Sequence, residues 1–151
     1  MEDPHRKNKE IMPKYSQSPR KGLRKRAWDI FSKWVRFIRD KGRCYTCGAV
    51  NDPRECDAGH YKHSDALDFN EMNVHCQCIR CNRYLYGNSK SYRERLVRDY
   101  GEDKVLELEF KAKQCYKYLI EEFEAVIKKY KPILVAEGIV KGKKLSIEKS
   151  H

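Results

Sequence analysis

The sequence predicts an α+β domain in which a zinc-stapled ββα core sits between an N-terminal helix and a group of C-terminal helices. Three observations predict it. Two Cys-x-x-Cys pairs, Cys44 with Cys47 and Cys78 with Cys81, frame the middle of the chain, and four thiolates so spaced suit one tetrahedral zinc with no open position. Apolar residues before and after this frame recur at helical spacing, whereas the stretch inside it has two short strand-like segments around a polar loop. At 151 residues the chain has one domain's length, and with 40% hydrophobic and 36% charged residues its core is modest enough to need a metal staple.

In order, residues 1–21 hold Pro4, Pro13, Pro19 and many Lys and Arg, and read as a flexible basic arm. The domain proper spans 22–137. Its first helix, 22–41, is expected from Leu23, Ala27, Ile30, Phe31, Trp34 and Ile38 on one face, with Arg24, Lys25, Lys33, Arg36 and Arg39 mostly between them. These aromatic residues read as core, and Gly42 as the C-cap. The zinc-bound core is 44–88. Cys44-Tyr-Thr-Cys47-Gly48 is a zinc knuckle and Asn51-Asp52-Pro53 a turn. A strand is expected over Glu55–Tyr61, a loop over Asp65–Asn73, a second strand over Val74–Gln77, and a helix from about Cys78 that carries Asn82. Flanking helices fill 89–136. Ser89–Tyr100 has Tyr92, Leu96 and Val97 at helical spacing and ends at Gly101. From Glu102 a nearly continuous pattern runs through Val105, Leu108, Phe110, Tyr116, Leu119, Phe123, Val126 and Tyr130, with a break near 110–114 and with Pro132 ending or kinking the last helix. Cys115 falls on its apolar face and reads as core. Residues 138–151 read as a flexible tail.

The formal net charge is +11 and the pI about 9.3, which points to a polyanionic partner, nucleic acid first. No run of about 18 apolar residues exists to span a bilayer, and the opening MEDPHRKNKE lacks a signal-peptide apolar region. A soluble, cytoplasmic protein with no membrane partner is the expectation. Seven cysteines in such a chain favour metal over disulfides. Cys56 and Cys76 read as small buried side chains.

Between the cysteine pairs stand Asp57-Ala58-Gly59-His60 and Asn73-Val74-His75, and Asn82 follows Cys81. Hydrolysing a phosphodiester needs an activated water, a cation on the phosphate oxygens and help for the leaving oxygen, which one histidine and one divalent ion supply. Oxygen ligands suit Mg²⁺ or Mn²⁺ and the thiolates suit Zn²⁺. Arg80, Arg83, Lys90, Arg93 and Arg95, on or just after the motif helix, are the preferred contacts to a DNA backbone, since releasing phosphate counterions dominates the affinity of basic proteins. Each also reads as an ordinary solvated residue.

Taken together, Cys44, Cys47, Asp57, His60, Asn73, Cys78, Cys81 and Asn82 resemble the four-cysteine branch of the HNH, or ββα-metal, nucleases. The strings CDAGHY, FNEMNVHCQCIRCNRYLYGN and YRERLVRDYG are closer still to the NinG, or Rap recombination endonuclease, family of lambdoid phages, from about Cys44 to the helices near residue 130. The resemblance implies nicking of branched DNA such as D-loops and Holliday junctions, in the host cytoplasm. It implies His60 as general base, Asn73 as the residue that holds its loop, and Asn82 as ligand of a catalytic Mg²⁺ or Mn²⁺. In the family an acidic or histidine ligand directly precedes the base; here that position is Gly59, so Asp57 is assigned as the second ligand through a bulge at Ala58-Gly59. His63 and His75 are reserves for metal or phosphate. A twofold homodimer through the apolar C-terminal helix would suit branched DNA, and recombination proteins are further expected partners. Two other readings stay open: a non-catalytic zinc-ribbon module that binds DNA or protein, and a sequence-specific HNH endonuclease.

Overall fold

The computed structural model describes residues 19–142. All but the last three residues of the expected basic arm, and most of the expected tail, lie outside that range. The first helix, α1, spans Pro19–Lys33 and so opens three residues earlier than expected. Pro19 suits its first turn, where a missing N–H costs nothing. Leu23, Ala27, Ile30 and Phe31 are buried on one face, as the apolar spacing requires. From Trp34 to Arg39 the helix widens into a π-type turn.

That wide turn is where the helix is fastened to the core. The Asp40 carboxylate accepts the Cys76 backbone N–H at 2.7 Å, while Arg39 donates to the carbonyls of Glu71 and Val74. Arg36 donates to the carbonyl of Pro53 at 3.0 Å. The chain then reverses at Gly42, whose φ is +78°. A Cβ there would stand 1.9 Å from the Asn51 carbonyl oxygen, so no other residue fits this turn without moving the knuckle.

Strand β1, Cys56–His60, pairs antiparallel with β2, Val74–Cys78, with Asp57 opposite Gln77 and Gly59 opposite His75. β2 runs one residue beyond the expected strand, and the helical turn after it is short, Arg80–Tyr84. Helix α2, Ser89–Tyr100, has the expected bounds, and Gly101, at φ +90°, separates it from α3, Glu102–Ala112.

The nearly continuous pattern expected from 102 to 136 has its break close to the expected 110–114, but as a longer irregular connector over 113–119. Cys115 and Tyr116 lie there, exposed rather than in the core, and Leu119 is exposed as well. Helical periodicity carried on through residues that the fold uses as a crossing, where Glu122 instead accepts the Leu119 N–H and starts a new helix. That helix, α4, spans Ile120–Ala136 and passes Pro132 without ending. Its apolar face packs along α1: Phe123 closes on Leu23 and Ala27, while Tyr130 and Leu134 close on Ile30, Phe31 and Val35. Each such fully buried side chain supplies roughly 2 kcal/mol of transfer free energy. That face of α4 is covered within the chain, while Ile120, Ile133 and Val135 of the same helix stay exposed. A second cluster, Tyr61, Leu67, Tyr92, Leu96, Val105 and Leu108, joins α2 and α3 to the loop after β1. Among the described residues no helix is long and apolar enough to cross a membrane.

Candidate functional site

The four frame cysteines come together. Their sulfurs all lie within 4.8 Å of one another, and Cys47 Sγ is 3.7 Å from Cys78 Sγ. A tetrahedral zinc with bonds of 2.3 Å has sulfur edges of about 3.8 Å, so the group fits a structural zinc. Donors already face these sulfurs: the Cys81 N–H points at Cys78 Sγ, and the Asn88 side-chain amide at Cys81 Sγ. Burial opposes ionisation of Cys44, but the Thr46 hydroxyl and backbone N–H groups outweigh it and bring that thiol down to about 6. Cys56 and Cys76 stay outside this group. Both are buried, 2.9 Å apart through sulfur, and burial raises both pKa values.

Beside the frame, β1 and the helical turn bring Asp57, Asn82 and Arg83 into contact. The Asn82 Nδ2 donates to Asp57 Oδ2 at 2.8 Å, and Arg83 makes two bonds of 2.9 Å to the same carboxylate. Burial works against the Asp57 charge, yet Arg83 and Asn82 hold its pKa below the ordinary carboxylate value. One carboxylate and one amide within hydrogen-bond reach are a donor set for a hard divalent ion. Gly59 adds room. A Cβ on it would meet Gln77 Oε1 at 1.9 Å and Asn82 Oδ1 at 3.0 Å.

His60 lies elsewhere. Strand alternation puts it on the face of β1 opposite Asp57, and no hydrogen bond or ion pair joins it to Asp57 or Asn82 among the described residues. Its ring stacks on Trp28 with centroids 4.8 Å apart. Nε2 is buried without a hydrogen-bond partner, 3.6 Å from Asp68 Oδ1. Burial lowers the His60 pKa and Asp68 only partly offsets it, so the ring is neutral at pH 7.

Asn73 is fully buried and clasps the loop that follows β1. It accepts the Lys62 N–H and donates to the carbonyls of Lys62 and Leu67. His75 is no reserve ligand: it is buried between Tyr45 and Tyr92, and burial takes its pKa down to about 3. His63 is exposed, with its ring 5.8 Å from that of His60.

Two open clefts meet at Trp28. One, of about 510 Å³, is lined by Arg36, Arg54, Asp57, Asn82 and Arg83; the other, of about 610 Å³, by Lys21, Arg24, Lys25, His60 and Asp68. Lys21, Arg24 and Lys25 of α1 thus rim the cleft on the His60 side, and Arg36, Arg54 and Arg83 the cleft on the Asp57 side. Among the expected DNA contacts, the Arg80 and Lys90 side chains make no hydrogen bond or ion pair among the described residues. The Arg95 side chain makes no hydrogen bond or ion pair among the described residues and is attracted to Asp99 at longer range. Arg93 differs, because Glu109 and Glu102 hold it by ion pairs of 2.7 and 2.6 Å at the α2–α3 seam. Sequence reasoning passed over Trp28, Arg36, Arg54 and Gln77. A tryptophan off the apolar stripe of a basic helix is the one signal that was available.

Over residues 2–136 the chain matches the family described as NinG, bacteriophage lambda NinG protein. It is 34% identical over 122 residues to the protein ninG of Escherichia phage lambda, an alignment covering 72% of this chain and 59% of that relative. Identity to the protein ninG of Salmonella phage P22 is also 34%, with the same coverage, and to that of Enterobacteria phage H19B it is 33% over 118 residues, 69% of this chain and 58% of the relative. The chain spans about three fifths of the length of these curated relatives. No solved structure matches it.

Proposed function

We propose, on the premise that this chain belongs to the NinG family of bacteriophage proteins, that it is a metal-dependent endodeoxyribonuclease of the zinc-stapled HNH kind, acting on branched recombination intermediates in the host cytoplasm. The observation that carries the reading is the contact of Asp57 with Asn82 beside the four-sulfur frame, in a cleft lined by arginines. A Mg²⁺ or Mn²⁺ ion held there supplies charge to the phosphate and to the leaving oxygen.

The chain's own residues do the rest. Asp57 and Asn82 hold the ion. Arg83 and Arg54, both largely exposed at the guanidinium end, offer donors to the non-bridging oxygens. Neutral His60 accepts the proton of the attacking water, for which its ring must leave Trp28 and turn toward the cleft. Asn73 keeps the loop behind it fixed. Arg80, Lys90 and Arg95 follow the flanking backbone. Among the described residues no helix offers a row of base-directed side chains, which suits recognition of shape.

One observation favours a second reading, a zinc-stapled module that binds DNA without cutting it: His60 Nε2 is covered. Linear, forked and four-way DNA of matched sequence, incubated with Mg²⁺, Mn²⁺ or EDTA, separates the readings. The expected result is cleavage of forked and four-way DNA with either ion and none with EDTA. Binding without cleavage in every condition supports the module, and cutting of one linear sequence supports a sequence-specific HNH enzyme.

A further inference from the structure

Gln77 is fully buried in β2, and its amide has one orientation only. Nε2 donates to the Gly87 carbonyl at 2.9 Å and to the Thr46 hydroxyl at 3.2 Å. Thr46 in turn contacts Cys44 Sγ at 3.3 Å, so the amide is tied to the sulfur frame. Its Oε1 is then left buried with no hydrogen-bond partner. An unpartnered buried acceptor is costly and calls for an explanation.

The neighbour of Oε1 is Asn82 Oδ1. Both oxygens lie within 3.0 Å of one point, the place where a Cβ on Gly59 would stand. Two acceptors thus border the same space, because Asn82 has turned its Nδ2 to Asp57. To ligate a cation beside Asp57, Asn82 must present its oxygen there, and rotating the amide by half a turn does this. The same rotation carries Nδ2 to Gln77 Oε1.

We infer that Gln77 is a positioning residue: its fixed Oε1 is the acceptor that receives Asn82 Nδ2 when Asn82 turns its oxygen to a divalent cation beside Asp57. This rests on the proposed ion site and adds the device that orients it. Gly59 is the residue that leaves space for the two amides to meet, since a side chain there would occupy it.

A double-mutant cycle on Mn²⁺ affinity, measured with the zinc-loaded full chain and without DNA, tests the inference. Gln77→Met should weaken Mn²⁺ binding about tenfold, the usual worth of one hydrogen bond, with zinc content and circular dichroism unchanged. In an Asn82→Asp background the same substitution should have no weakening effect, because a carboxylate has no amide to orient. Weakening in both backgrounds means that Gln77 ligates the ion itself, and overturns the inference. Mn²⁺ binding by the natural chain that is indifferent to Gln77→Met overturns the inference alone; no Mn²⁺ binding by the natural chain overturns the ion site as well. Should Gln77→Met fail to fold, Mg²⁺ titration of the ¹⁵N-labelled natural protein decides the matter. The Asn82 side-chain N–H₂ signals should shift and exchange more slowly at saturation, and unchanged signals overturn the rotation.

Discussion

Replacing His60 with alanine is expected to slow Mg²⁺-dependent cleavage of a four-way junction roughly a hundred- to ten-thousandfold, the usual contribution of a positioned general base. DNA affinity and zinc content should change little, since the ring touches neither the sulfur frame nor the cationic ends that rim the clefts. The charge state adds a second handle. Burial holds the His60 pKa below 6.5, and a base works only while neutral. In its working position the ring has left that burial, so cleavage by the natural protein should fall as pH drops through the ordinary imidazole range near 6.5. Single-turnover rates across pH check both statements, and full activity of His60→Ala removes the imidazole from the mechanism.

Loss of zinc should have the largest effect on stability. Structural zinc sites contribute about 10 to 16 kcal/mol of apparent binding free energy at neutral pH, while a whole domain is stable by about 5 to 15. Cys78→Ser, or chelation of the natural protein, should thus unfold the region around β1 and β2. Three connections fail together. The knuckle carries Tyr45 N–H to the Cys76 carbonyl, Cys78 closes β2 opposite Cys56, and Cys81 begins the turn that points Asn82 at Asp57. Far-UV circular dichroism and limited proteolysis report the outcome, and a zinc-free variant with the natural unfolding midpoint contradicts the staple. Helices α1 and α4, which pack through Phe31, Phe123 and Tyr130 away from the sulfurs, should be the last part to melt.

How much of this is legible in the chain depends on whether a feature is local. The sulfur frame is, because the Cys-x-x-Cys spacing itself builds the knuckle. So are the bounds of α2, set by Asn88 and Gly101. The nearness of Asp57 to Asn82 is legible only through the family resemblance, and it needs no bulge at Ala58-Gly59, where β1 keeps its regular register with β2. What depends on distant packing is not legible. Trp28 covers His60 only because α4 presses α1 down onto the sheet. Arg93 reads as a phosphate contact until α3 supplies Glu102 and Glu109. Cys115 and Tyr116 continue a helical pattern, yet they cross between two helices. Gln77 carries no signal beyond its place at the end of the expected second strand, and only the fold buries it.

The claim beneath all of this is that the sulfur frame brings His60 and an ion held by Asp57 and Asn82 to the same phosphate. Crystals of the zinc-loaded protein with Mn²⁺ and a four-way junction, read by the anomalous scattering of manganese, measure it. The account predicts manganese between the Asp57 and Asn82 oxygens, a phosphate upon it, and His60 turned off Trp28 to a water facing that phosphate. Manganese bound elsewhere, or a phosphate in place with His60 still stacked on Trp28, contradicts it.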